Sequence, residues 1–154
     1  MTPKDPFRAI DDEARAIIAR LMTASHAALA VSREDGTPSV TRVALAVDKD
    51  NVPVALISDL SLHTKALRNA RSCALLIGEP GEKGDPLTHP RLTLHCAAEF
   101  VEQGSEAHVA LRAQYLEQRP KAKLYVDFAD FHFVRFKVKD GLLNAGFGKA
   151  YRIP

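Results

Sequence analysis

The sequence predicts an α+β fold: a small antiparallel β-barrel with helices inserted between its strands. Three observations carry this. The segments "HAALAVSR", "SVTRVALAV" and "VPVALIS" are short and rich in Val, Ala and Leu, and only "EDGTP" and "DKDN" separate them. Those separators hold the Gly, Pro, Asp and Asn that hairpin turns need. Helical periodicity appears between some strand patterns but not after each one, which argues against a doubly wound parallel sheet. Five or more short strands in all are enough to curl into a barrel.

Taken in order, "DDEARAIIARLMTAS" predicts the first helix. Asp11 can cap it, acids fill its first turn, and Ala14, Ile17, Ile18 and Leu21 recur at helical spacing. The three strands above follow as an antiparallel meander. "SDLSLHTKAL" then ends the third strand and opens a short helix near residues 62–70, and "CALLIG" is the next strand. "EPGEKGDPLTHP", with three prolines and two glycines, reads as a mobile excursion and not a domain linker, because the strand pattern resumes at once. In "RLTLHCAAEFVE", Leu92, Leu94, Cys96, Ala98 and Phe100 share one face; Arg91, Thr93, His95 and Glu99 share the other. A helix around "SEAHVALRAQYLEQ", a short "KAKLYV" segment and a final strand pair, "FHFVRFKVK" and "LLNAGFG", complete the chain. No internal repeat interrupts residues 1–154, which read as one domain.

Composition bounds the function. A chain of 154 residues can bury about 68–70% of its unfolded surface without disulfide or metal staples. Hydrophobic content of 46% with 26% charged residues is ordinary for a globular protein. Net charge is only +2, and no basic run is interleaved with aromatics, so a nucleic-acid partner is unsupported. No apolar run approaches the roughly 20 residues of a membrane span. The start, "MTPKDPFRAIDDEARA", lacks an apolar signal core, and Cys73 and Cys96 sit in apolar surroundings. They read as reduced, buried thiols in a cytoplasmic protein.

Catalytic and metal constellations are weak. No H-E-x-x-H or paired-cysteine spacing suggests a metal. Ser58, Asp59 and His63 contain the residue types of a hydrolase triad, but they crowd into one turn with no G-x-S-x-G elbow. Glu99 and Glu102 fall on opposite faces of a continuing strand, poor geometry for paired acid–base work. No catalytic residue is assigned.

The informative oddity is Lys65. It falls in the first turn of its helix, where the partial positive charge of the helix N-terminus disfavours a cation by roughly 0.3–1 kcal/mol. A bound anion would reverse that sign. In "SVTRVALAV", alternation puts Val43, Leu45 and Val47 on one face and Arg42, Ala44 and Ala46 on the other. An arginine beside a strip of very small side chains can seat a flat aromatic ligand with a phosphate at one end. Arg42, Ser58, Thr64, Lys65 and free helix N–H groups make the mixture of fork, ammonium, hydroxyl and backbone donors that a phosphate dianion takes.

In the order "RVAL", "LIS", "HTKALRNAR", the chain resembles the pyridoxamine 5'-phosphate oxidase-like, FMN-binding split-barrel family. "DPLTHPRLTLHCAAEFVE", "FADFHFVRF" and "NAGFGKAY" are similar to its haem-utilisation branch. The resemblance covers roughly residues 12–151. It implies a split-barrel homodimer with FMN between subunits, and an oxidoreductase acting on a small-molecule substrate or electron donor. It assigns the phosphate to Arg42, Ser58, Thr64 and Lys65, with His63 bordering that turn. The backbone of Val43, Ala44 and Leu45 would run along the isoalloxazine, flanked by Ile57. The chain departs from vitamin B6 oxidases in two places. Val47 stands where their lysine helps hold the substrate phosphate, and "GKAYRIP" lacks their closing Arg-x-His, so pyridoxamine oxidation is not implied. Leu92 replaces the family's flavin-contacting glutamine. A haem-degrading or a non-catalytic FMN-binding role are the alternatives; the haem branch uses a histidine near an extended C-terminus, and none follows His132 here.

Overall fold

The structure is a computed structural model that describes residues 2–154. Helix α1, Asp12–Leu21, starts as its sequence demands: the Asp11 carboxylate accepts the Ala14 N–H at 2.8 Å, satisfying one of the first-turn donors. Strands β2 (His26–Ser32) and β3 (Pro38–Ala44) form the first hairpin, in register from His26 opposite Ala44 to Ser32 opposite Pro38. Ala27, Leu29 and Val31 of β2 point into the core.

The expected nine-residue arginine strand does not persist. It breaks at Leu45, and a two-residue strand β4, Ala46–Val47, pairs with β5, Pro53–Ser58. Leu45 and Ala46 are therefore both buried, in two different hydrophobic clusters. The expected Arg42–Ala44–Ala46 strip ends at Ala44. β5 pairs with β8 and not with β3, so the meander is a hairpin followed by a corner. Burial of Pro53–Ile57 on both faces explains why that strand reads as a continuous apolar run.

Helix α2 is Leu62–Asn69 and strand β6 is Ser72–Ile77. The excursion at 79–90 carries one 3-10 turn, Pro86–Thr88. Strand β7, Arg91–Phe100, buries Leu92, Leu94, Cys96 and Ala98 as alternation requires. Helix α3, Glu106–Gln118, is capped by Ser105, whose hydroxyl accepts the His108 N–H at 3.2 Å, and the next segment is a 3-10 turn, Pro120–Leu124.

The expected final strand pair is instead one strand, β8, Phe131–Asn144. The "KDG" within it resembles a hairpin turn, but it holds a bulge: the ladder with β7 slips where His95 faces Asp140 and Cys96 faces Val138. Gly141 is there because a Cβ would lie 2.6 Å from the Thr93 carbonyl oxygen. Two further strands were not legible. β9, Ala150–Ile153, pairs with the end of β8, and β1, Phe7–Ala9, runs parallel to β9.

The sheet runs β1-β9-β8-β7-β6-β2-β3, while β5 joins the front half of β8 to β4. Because β4 continues β3 round the Leu45 corner, the ladder curls back on itself, yet β3 forms no ladder with β5. This is a barrel split along the outer edge of β3. One cluster fills its interior, with Leu29, Leu75, Leu92 and Phe136 at the centre; a second, around Tyr115 and Phe133, lies under α3. Among the described residues no helix is long and apolar enough to cross a membrane. Cys73 and Cys96 face each other across β6 and β7, and burial pushes their thiols up to about 11 and about 12.

Candidate functional site

The register of the first hairpin decides what β3 offers to its open side. The Leu45 N–H donates to the Ser25 carbonyl at 2.9 Å and the Arg33 N–H to the Thr37 carbonyl at 2.8 Å, both in step with the β2–β3 ladder. Hydrogen-bonded and non-bonded pairs alternate in an antiparallel ladder. Odd-numbered residues of β3 therefore turn their backbone groups to β2, while Val40, Arg42 and Ala44 turn theirs to the free edge. Arg42 and Ala44 are also exposed, on the face opposite buried Val43. Of the three residues expected along a ring, only Ala44 has an outward backbone. Val43 is turned to β2, and Leu45 also receives the Arg119 Nε at 2.8 Å on its carbonyl.

Helix α2 starts beside this edge. Ser61 occupies the N-cap without a side-chain hydrogen bond to the first turn, so part of that turn's donor set lacks a protein acceptor. The Thr64 hydroxyl is committed elsewhere: it is buried and donates to the Ser58 carbonyl at 2.5 Å. Ser58 Oγ lies 3.3 Å from Asp130 Oδ2 and accepts the Leu60 N–H at 3.1 Å. The two hydroxyls expected to meet a phosphate thus build the turn that presents the helix. His63 is half-buried, its Nδ1 3.0 Å from Thr41 Oγ1, and desolvation lowers its pKa. It ties α2 to β3. Ile57 is a core residue. Lys65 is exposed and lines a cleft of about 530 Å³ between α2 and the β2–β3 turn, with Arg33, Asp35, Leu60 and Leu62.

The supposed triad is not assembled. Ser58 turns to Asp130, His63 turns to Thr41, and Asp59 takes His132 Nε2 at 2.9 Å and Arg68 at 3.5 Å. The His132 contact chiefly lowers the Asp59 pKa, and Arg68 stacks over Phe100 at 4.2 Å. Sequence reading had no signal for Asp59–His132, since the partners are 73 positions apart. Glu99 pairs with Lys137 at 2.6 Å. Among the described residues no group of three or more His, Cys, Asp or Glu is placed to hold a metal.

One family model, described as pyridoxamine 5'-phosphate oxidase, matches residues 10–144 of the chain. The chain belongs to that family. Among curated proteins it is similar to the chloroplastic non-canonical heme oxygenase HOZ of Arabidopsis thaliana, 40% identical over 105 residues, which is 68% of this chain and 31% of that protein. The chain thus spans about a third of the curated relative's length. Among solved structures it is similar to a heme binding protein from Mycobacterium smegmatis: TM-score 0.78, 28% identity, 99% of this chain and 58% of that one. Campylobacter jejuni ChuZ matches with TM-score 0.82 and 21% identity over 95% of this chain and 61% of that one, a likeness of fold.

Proposed function

We propose that this chain is a cytoplasmic, homodimeric FMN-binding flavoprotein of the pyridoxamine 5'-phosphate oxidase family, acting as an oxidoreductase on a small molecule. One observation supports the reading: the free edge of β3 turns out the backbone of Arg42 and Ala44, with an exposed guanidinium and a minimal side chain, and the start of α2 is tied to the same strand by His63 and Thr41. The donor set fits the group. Arg42, Lys65 and the unaccepted N–H groups of the α2 first turn suit the phosphate, and the Ala44 N–H and C=O suit the polar edge of the ring. Val43, Leu45, Ile57, Ser58, His63 and Thr64 shape this frame from behind. Bound flavin would supply hydride and single-electron chemistry, which asks for no nucleophile or general base from the chain. The protein's part is to bind, orient and exclude water. Titration of purified protein with FMN and with riboflavin tests the reading: FMN should bind at least tenfold more tightly, and equal affinities would remove the phosphate site.

A second reading, haem binding or degradation, is favoured by the haem proteins among the relatives. Within this chain the residue that would hold the haem iron is His132, oriented by Asp59 as carboxylates orient metal-bound histidines. Haem titration separates the two: a sharp 1:1 Soret change abolished by His132→Ala supports haem, and flavin bands in the purified protein support FMN.

A further inference from the structure

At the corner by Leu45 the chain leaves β2 and joins β5. The Leu45 N–H still reaches the Ser25 carbonyl, but the Leu45 carbonyl and both backbone groups of Val47 are bonded by the C-terminal end of α3. Gln118 accepts the Val47 N–H on Oε1 at 3.0 Å and donates from Nε2 to the Val47 carbonyl at 2.8 Å. One side-chain amide thus replaces a neighbouring strand on the edge of β4 that β5 does not cover. Arg119 donates from Nε to the Leu45 carbonyl at 2.8 Å and from Nη2 to the Ala24 carbonyl at 3.0 Å, fastening the corner to the residue two before β2. Without Arg119, the carbonyl of buried Leu45 would lose its side-chain partner.

We infer that Gln118 and Arg119 are positioning residues for the cofactor: they fix the corner next to Ala44, and so set where the outward backbone of Ala44 and Arg42 meets the flavin. The assignment rests on the flavin reading above. Two features make the clamp more than packing. It acts on the backbone immediately after Ala44, and it places a guanidinium one residue from the proposed ring contact. Lysine cannot keep both Arg119 bonds, because one ammonium lacks the planar fork that reaches Leu45 and Ala24 together.

The test compares Gln118→Ala and Arg119→Lys with Arg112→Ala, which lies on the same helix but holds only the surface carboxylate of Asp127. FMN affinity is read by fluorescence quenching, the ring environment by the visible absorption and circular dichroism of bound FMN, and folding by thermal melts. Gln118→Ala and Arg119→Lys should each weaken FMN binding at least tenfold and change the bound-flavin spectrum, while Arg112→Ala changes neither. Hydrogen exchange without ligand gives a second reading: the Leu45 amide, bonded to the Ser25 carbonyl beside Ala44, should exchange faster in both clamp variants and at the wild-type rate in Arg112→Ala. If the clamp variants bind FMN as tightly as wild type with the same spectrum, the assignment is wrong while the flavin reading stands. If wild-type protein binds no FMN, the flavin reading falls and takes the assignment with it.

Discussion

Thr64 and His63 are neighbours with different jobs. Thr64 is buried, and its hydroxyl bonds the Ser58 carbonyl at 2.5 Å, so Thr64→Val should cost about 0.5–1.5 kcal/mol of stability, the net worth of one such bond. Because the hydroxyl faces the turn and not the edge, FMN affinity should stay within about twofold, a change of about 0.4 kcal/mol. Chemical denaturation and FMN titration of the one variant read both; a large loss of affinity with no loss of stability would return Thr64 to the phosphate shell. His63 is held mostly neutral because burial lowers its pKa from the ordinary 6.5. A depressed histidine means that the unfolded chain takes up the proton first as pH falls. Its stabilisation is therefore complete above about 6.5 and declines as pH drops from there through the lowered folded value. Melts at pH 7.5 and 5.5 should show this loss, and His63→Asn should flatten it. Asp59 and Asp127, whose pKa values are lowered from 3.8 chiefly by bonds to His132 and Arg112, withdraw their contribution only further down, as pH falls from about 3.8, and cannot mimic the effect.

Helix α2 poses its question as an element. Lys65 stands in its first turn, where no acid offsets the helix dipole and Ser61 adds no side-chain cap. Removing that cation should leave the apoprotein as stable or slightly more so, by up to about 1 kcal/mol. The same Lys65→Ala change should weaken FMN binding by about 1.5–3 kcal/mol, the range for hydrogen bonds to charged groups. Melts with and without FMN give the two signs, and a loss of apo stability with unchanged affinity would make Lys65 structural. α2 was legible because every cue for it is local: an apolar strand, a turn, then helical spacing. β7 was legible because clean alternation leaves one register that buries Leu92, Leu94, Cys96 and Ala98. The Leu45 corner was not, since Arg119 and Gln118, which hold it, lie more than 70 positions away. Nor was the continuity of β8, where a bulge and a glycine needed for close approach to Thr93 imitate a turn. The candidate site divides the same way. The exposed Arg42 and Lys65 follow from pattern, while the inward commitment of Thr64, Ser58 and the Leu45 backbone depends on the fold.

At the scale of the whole molecule, the proposed homodimer would cover the split in the barrel. Val40 on the free edge is 67% exposed, and Leu60 and Leu62 beside the Lys65 cleft are 85% and 49% exposed. Exposed aliphatic side chains such as Leu60 and Leu62 are what a stable isologous contact buries, at about 1,600 Å² in total for a standard interface. A flavin laid along β3 would then be closed in by the second subunit, coupling assembly to binding. Leu60→Glu puts a charge at the centre of that contact and should yield a monomer by light scattering at micromolar concentration, with FMN affinity falling in parallel. Phe128→Ser offers the comparison. That ring is also exposed, at 56%, but it packs near Phe131 by the second cluster, and its loss should leave both dimer and affinity intact. A Leu60→Glu protein that remains dimeric would move the interface to another face. A wild-type monomer that still holds FMN would show that one barrel completes the site alone, with the edge of β3 and the start of α2 sufficient to bind the cofactor.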